Sequence, residues 1–465
     1  MSLSLRALPF TLMMIYLLST ILLFWFGPLD WPTPNPKTMA LFLTCAVFGI
    51  CAFYVVGAQD DPEGHPISSW RSIIVAGAIL SVVILFPSAH YYADKMPWQI
   101  LDALKDQKAA YDALQKKLVD TAGTRTLISA VRAMVYPVIF AALPLSILNW
   151  RRMSWWLWIL TAAAVCSGLI FSILRGTDRE GFDMIIIAGA SGFVVAARSC
   201  VARNATLSDI ILNRKTLAGA VLFLVIASFA LSVFADRRAQ RTGYTPEAFA
   251  AGTRDAPSLA EHLKSGAGWG DVMCIRDICL DPDHVLVRYV DAPKKYTILM
   301  LTSYLTQGYF GLSLAMTNRQ SSTLGIGHSS VITRLYERLT HDASLYERSY
   351  TFGLRQMHWS DESQWSSIFP WLANDVGFPG SIAVICLLAF LWGRSWRDAV
   401  GANNDAAAIV FCLLFQLFVY VPANNQLAQT FDAYFTITGW CAFWLLAKLS
   451  IKKERPALLR AGPRV

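Results

Sequence analysis

Long apolar runs joined by short polar segments set the pattern of this chain. Ten of the runs come close to the ~20 residues a helix needs to cross the hydrocarbon of a bilayer. They lie at 8–26, 39–57, 72–90, 127–148, 155–174, 183–200, 216–235, 379–394, 405–422 and 430–448. A further run, 297–316, is interrupted on its apolar face by Thr, Ser, Gln and two Gly in "YTILMLTSYLTQGYFGLSLAMTN". The first run has no small-residue cleavage site and leads straight into a multi-span pattern, so it reads as a retained helix. The pattern predicts an all-α polytopic membrane protein with about ten transmembrane helices.

The polar joints suggest an orientation. Alternate joints collect Arg6, Arg71, Arg151, Arg152, Arg198 and Arg394, and the tail 449–465 is basic, whereas the opposite short joints hold Lys37, Arg175 and Arg179. Basic residues favour the cytoplasmic side, which places both termini there. Segment 91–126 cuts against the bias with six basic residues, accompanied by five aspartates. With seven spans before 297–316, three after it and both ends inside, that run has no room to cross. It is expected to be a re-entrant or interfacial helix inside one large external region, 236–378.

The division that follows is 1–90 for three spans, 91–126 for an external helix, 127–235 for four spans, 236–378 for the external region, 379–448 for three spans and 449–465 for the tail. In 91–126, Lys108, Asp112 and Lys116 are spaced i,i+4 while Leu101, Leu104, Tyr111 and Leu118 share a face. Pro97 fits a start and Gly123 a stop, so an amphipathic helix lying on the membrane surface is expected.

Composition agrees: 55% of residues are hydrophobic and 15% charged, against roughly 25% charged in soluble domains. Seven of the nine cysteines fall in or beside spans, where they act as small apolar residues. Cys274 and Cys279, in "CIRDIC", lie in the external region. In an oxidising compartment they pair as a small-loop disulfide; a zinc knuckle would need a second Cys or His pair, and none completes it. "LDPDH" (280–284) has an Asp-x-Asp spacing, but Pro282 makes it a turn. The stretch 325–380 mixes Arg334, Arg338, Arg348 and Arg355 with Trp, Tyr and Phe, which suits either an anionic glycan or an ordinary membrane-interface domain.

"LRGTDREGFDM" (174–184) crowds two arginines and three acids between two apolar runs. With "SYLTQGYFGLSLAM", "GIGHSSV", "WLANDVGFPG" and "VPANNQLAQTFDAYF", it resembles the polysaccharide repeat-unit polymerases of bacterial surface glycans, the Wzy-type O-antigen polymerases. The likeness covers the C-terminal two-thirds. It is related to that of O-antigen ligases and of the wider membrane glycosyltransferase C class.

The resemblance implies a multi-pass protein of the bacterial inner membrane. Its reaction would move a growing glycan from an undecaprenyl diphosphate carrier onto a lipid-linked repeat unit. Membrane lipids and a chain-length regulator are the other partners it implies; nothing points to nucleic acid. No cofactor is required, and no metal if arginines supply the positive charge. On this reading Arg132, Arg175 and Arg179 face the diphosphate, with Asp178, Glu180 and Asp183 orienting the guanidiniums. Arg348 and Arg355, seven apart and so on one helical face, would grip the donor or an acidic sugar. Asn424, Asn425 and Gln426 would read sugar hydroxyls. The general base is open among His328, His358 and Asp375. The His-Asn pair expected of ligases is missing, since its place falls on Ser366, which favours polymerase over ligase. A lipid-linked oligosaccharide flippase is the other alternative, but the spans carry little charge and show no repeat.

Overall fold

The computed structural model describes residues 3–59, 61–106, 109–111, 113–114, 122–204, 274–275, 278–318, 320–359 and 364–460, with Val221 and Val225 besides. In chain order its helices are α1 (Leu3–Phe26), α2 (Pro36–Gly57), α3 (Trp70–Ala93), α4 (Ile100–Lys105), α5 (Ala122–Leu148), α6 (Trp155–Leu174) and α7 (Arg179–Arg203). A two-residue hairpin follows, β1 (Cys274–Ile275) antiparallel to β2 (Ile278–Cys279). Then come α8 (Ala292–Ala315), α9 (Ser330–Thr340), α10 (Ser344–Glu347), α11 (Tyr350–Gln356), α12 (Ile368–Gly401), α13 (Asp405–Val419) and α14 (Phe431–Arg460).

The protein is an all-α polytopic membrane protein. Among the described residues seven helices, α1–α3, α5–α7 and α12, are long and apolar enough to cross a bilayer. Only 33% of the most apolar window of α2 is buried, while Leu41 and Phe48 stand 67% and 70% exposed. Such broad apolar surface suits lipid, not water. The expected span 405–422 is the shorter α13, 430–448 corresponds to the first part of α14, and 216–235 lies outside the described residues but for Val221 and Val225.

The chain alternates between two ends of the bundle. At one end, the site end, Asn35 meets Ser313 and Ser88 meets Arg132. At the other, wholly buried Asp398 accepts from Lys448 Nζ (2.7 Å), Arg397 Nη2 (2.8 Å), Trp444 Nε1 (3.2 Å) and the Glu63 amide (3.1 Å). Beside it Asp405 accepts from Arg198 (3.0 Å) and the Ile67 amide (3.1 Å). These bonds clamp α7, α12, α13 and α14 to the segment before α3. Trp396 Nε1 donates to Leu5 O (3.1 Å), so the start of α1 lies at this end too.

α13 is the axis of the bundle, with almost every side chain buried, and Asn404 Oδ1 caps it by accepting from the Ala407 amide at 3.0 Å. Its 15 residues make a helix of about 22 Å, short of the ~30 Å hydrocarbon core. The turn that follows lies inside the bundle, with residues 421–428 buried. α8 stays at the site end: Tyr309 hydrogen-bonds Thr20 (2.9 Å), Thr306 accepts from Trp31 (3.0 Å), and Ser313 donates to Asn35 (2.8 Å).

Several expectations are corrected. Segment 91–126 is not one amphipathic helix: Asp94 takes a left-handed conformation after α3, α4 has six residues, and Gly123 lies inside α5 instead of stopping a helix. The buried residues of this region include Ala103 and Ala110, against Ala89, Ala93 and Leu174, and also Leu114, while Leu101 and Leu104 point outward. The pairs Lys108–Asp112 and Asp112–Lys116 lie outside the described residues. Arg348 and Arg355 do not share a helix, because Ser349 caps a new one by accepting from the Phe352 amide (3.1 Å). "WLANDVGFPG" is mostly a buried half-helix, 368–376, set off from the rest of α12 by a break at Gly377 (φ 70°, ψ 172°). Cys279 is disulfide-bonded, and Cys274 is its backbone partner across the hairpin.

Gly377→Ala tests the break. A Cβ there has room, with Pro379 Cδ nearest at 4.0 Å, so any loss comes from backbone strain. That conformation costs an L-residue about 1–3 kcal/mol, and the unfolding midpoint in detergent should fall accordingly. An unchanged midpoint would mean that α12 does not break at this residue.

Candidate functional site

Two pieces of chemistry meet at the site end. The first is built on the loop 320–328 and the half-helix of α12. Asp375 collects five donors: Oδ1 accepts from Thr323 Oγ1 (2.5 Å) and the amides of Gly325 (3.0 Å) and Gly327 (2.8 Å). Its Oδ2 accepts from the His328 amide (3.0 Å) and from His328 Nδ1 (2.9 Å). The glycine of "GIGH" is needed for this closeness, since a Cβ at Gly327 would lie 2.1 Å from Thr323 Oγ1 and 2.7 Å from Asn374 Cβ. Asn374 Nδ2 donates to Gly327 O (2.8 Å) and locks the loop further.

A carboxylate only accepts, so the proton on the neutral ring of His328 sits on Nδ1 and Nε2 keeps a lone pair. Nε2 faces the Tyr434 hydroxyl at 3.4 Å. The His328 side chain is 26% exposed and that of Asp375 9%. This is a geometry in which an oriented imidazole can take a proton from a hydroxyl.

The second piece is a cavity of about 180 Å³ between α3, α5, α6, α7, α13 and α14. Three arginines form its upper wall, each with a carboxylate. Arg132 reaches Asp432 Oδ2 through both Nε (2.8 Å) and Nη2 (2.6 Å). Arg175 donates to Glu180 Oε1 (2.7 Å) and Arg179 lies 3.5 Å from Asp183 Oδ2. Asp183 also accepts from the Tyr420 hydroxyl (2.9 Å). Arg132 and Arg175 both lie over the ring of Phe171, at 4.6 and 4.8 Å from its centroid. Such stacking steadies a guanidinium without using its N–H edge. Arg175 and Arg179 keep 22% and 31% of their side chains exposed, so both are partly open to an anion.

The turn 424–429 joins the two pieces. On one side Asn425 Nδ2 donates to His328 O (2.8 Å) and Ser329 Oγ to Ala428 O (2.6 Å). On the other Arg179 Nη2 donates to Gln426 O (3.2 Å). With its amide oxygen turned toward Arg179, Gln426 also donates to Asn424 Oδ1 at 3.0 Å. All three amide residues are buried, at 7% exposure or less. Tyr434, beside the imidazole, is adjacent in sequence to Asp432 and Ala433, which line the cavity.

The structure therefore brings together His328, Asp375, Arg132, Arg175, Arg179, Asn425 and Gln426, with Asn424 behind them. It leaves three expected residues elsewhere. His358 closes the turn after α11 with a left-handed φ of 58°, Arg348 follows α10, and Arg355 lies over the Tyr346 ring at 5.7 Å. None of the three lines the cavity. Asp432, Tyr434, Tyr420 and Phe171 were missed by sequence reasoning. Asp432 and Tyr434 stand in the quoted "VPANNQLAQTFDAYF", where an acid opening an apolar span was the available signal. No group of three or more His, Cys, Asp and Glu among the described residues is placed to hold a metal ion. No protein-family model, curated protein or solved structure matches the chain.

The Arg132–Asp432 pair gives a stability test. Asp432→Ala strands a buried guanidinium and should cost about 3–5 kcal/mol, whereas replacing both partners by apolar residues, Arg132→Met with Asp432→Leu, should recover most of it. Thermal unfolding of the purified variants decides. A double variant no more stable than the single one would show that the pair does not act as a unit.

Proposed function

We propose that this protein is a membrane glycosyltransferase that polymerises polyprenyl-diphosphate-linked oligosaccharide repeat units into a bacterial surface polysaccharide. The observation that carries the reading is one site with two complementary halves. An arginine-lined, amphiphile-shaped cavity suits a lipid diphosphate, and an oriented His328–Asp375 pair beside its wall suits activation of a sugar hydroxyl. The quoted motifs, which hold these residues apart from Arg132, support the same reading.

In the proposed step an acceptor hydroxyl attacks the anomeric carbon of the donor sugar, and its proton passes to His328 Nε2. The bond from that carbon to the diphosphate oxygen breaks, and the electron pair stays with the leaving group. Guanidinium N–H groups of Arg132, Arg175 and Arg179 meet the growing charge in a region of low dielectric, where fixed donors act most strongly. Asp375 keeps the imidazole in the productive tautomer and stabilises the imidazolium. The buried amides of Asn424, Asn425 and Gln426 are spent within the turn or on His328 and Arg179. Their proposed part is therefore to hold the site in shape, not to read sugar hydroxyls.

The distribution of Lys and Arg supports placing the end with Asp398 and Lys448 in the cytoplasm and the site on the outer face of the inner membrane. A reporter fused into the turn before α7 should then respond as an external tag. A cytoplasmic response would sink the proposal, because carrier-linked repeat units are joined on the outer face.

Deleting the gene should leave surface glycan as a single capped repeat unit in place of a ladder. Finished polymer accumulating on its carrier would mark a ligase instead. His328→Ala and Asp375→Asn should slow polymerisation by about 10²–10⁴-fold, and Arg175→Ala or Arg179→Ala should abolish the ladder, with protein still present in the membrane. Normal ladders from all four variants would retire the site.

A further inference from the structure

Below the arginines the cavity continues as a shaft. Along α6 its lining runs from Arg175 down to Thr161, a depth of about 21 Å at 1.5 Å per residue. Along α5 it runs from Arg132 to Leu143, and Ile84, Leu85, Phe140 and Val165 give it apolar walls. Six hydroxyl residues line the cavity: Tyr136 stands beside Arg132 at the head end, Thr430 accepts from the Ala433 amide (3.3 Å), and the other four are each engaged with a backbone carbonyl. Ser81 donates to Ala164 O (3.3 Å), Thr161 to Leu157 O (2.9 Å), Ser167 to Ala163 O (2.8 Å) and Thr436 to Asp432 O (2.6 Å). A sugar or a phosphate in the shaft would lose its water and find few partners, which is costly. A hydrocarbon chain has no such need.

We infer that the shaft holds the isoprenoid tail of the lipid donor, threaded between α3, α5 and α6 with its diphosphate at Arg132, Arg175 and Arg179. This rests on the anionic-lipid part of the functional reading and not on sugar transfer. Lipid tails are as apolar as the shaft, so moving a chain from one to the other changes hydrophobic free energy little. What the shaft supplies is register. A tail lodged inside the bundle fixes the depth of the diphosphate relative to the guanidiniums and His328. Mid-shaft, a Cβ added at Gly168 would come within 2.1 Å of Met184 Cε, so the Met184 side chain closes on the α6 backbone there. The flexible, unbranched Met184 side chain can swing aside for a chain.

The test compares two sugar-free probes on the purified full-length protein in nanodiscs: undecaprenyl diphosphate, and dimethylallyl diphosphate, whose single isoprene unit ends above Gly168. Gly168→Leu should weaken the long probe by about tenfold or more, a difference of ~1.4 kcal/mol, and leave the short one within about twofold. Retained binding of the short probe also reports that the variant is folded. Equal losses for both probes, or no loss for the long one, would overturn the inference. A second measurement needs no variant: a photoreactive group at mid-tail should label Ala164, Val165 or Leu143. Labelling confined to outward residues such as Ile159 would overturn it as well. Chain-length discrimination without polymerase activity would leave the shaft intact and remove the functional reading. A ladder with no discrimination would do the reverse.

Discussion

Charge inside an apolar bundle has to arrive neutralised, and that constraint organises this molecule. A lone guanidinium or carboxylate among lipid-facing helices would be prohibitively costly, whereas a hydrogen-bonded pair is tolerated. Each pair is also a choice of neighbours. Arg132 and Asp432 bring α5 against α14 across 300 residues of chain. Arg198 and Asp405 join α7 to α13, and Lys448 and Asp398 join α14 to α12. Hydrophobic matching alone cannot specify which helices touch when lipid is an equally good solvent. The ion pairs supply that information, one set at each end.

The same pairing shapes what the cavity can bind. Its three arginines are matched by Glu180, Asp183 and Asp432, so its formal charge balances and it would not draw anions by net potential. An anionic head must gain instead from direct hydrogen bonds to guanidinium edges that the carboxylates leave open, which favours a multidentate anion such as a diphosphate. Phe171 matters here, because stacking two arginines over one ring fixes them while keeping N–H groups available.

Much of the fold was legible because a membrane helix declares itself locally, through a run of apolar residues of sufficient length. Failures came where the deciding partner was distant or small. The burial of Ala103 and Ala110 was invisible beside Leu101 and Leu104, since close packing between helices prefers small residues. The seven-residue spacing of Arg348 and Arg355 assumed one continuous helix, and Ser349 interrupts it. His328 and Asp375 were each readable as candidate bases, but nothing in "GIGHSSV" or "WLANDVGFPG" states that the second holds the first. That relation exists only after loop 320–328 has closed on the half-helix through five donors to one carboxylate. The acid opening the last span was visible in sequence, and its partner Arg132 was not.

The shortness of α13 ties the fold to the chemistry. At about 22 Å against a ~30 Å hydrocarbon layer, it leads into a turn whose residues 421–428 are buried, where polar groups are expensive to leave unpaired. The sequence meets that demand with residues that can satisfy one another. Asn424, Asn425 and Gln426 engage each other, His328 O and Arg179, and Ser329 and Ser330 close on Ala428 O and Gln429 O. A buried turn held in this way ties the imidazole on one side to the guanidiniums on the other. Reactions that build charge at one group while moving a proton at another depend on such ties, because reorienting dipoles during the step would forfeit the advantage of low dielectric. A full-length α13 would have carried the same residues up into water and screened the field they create.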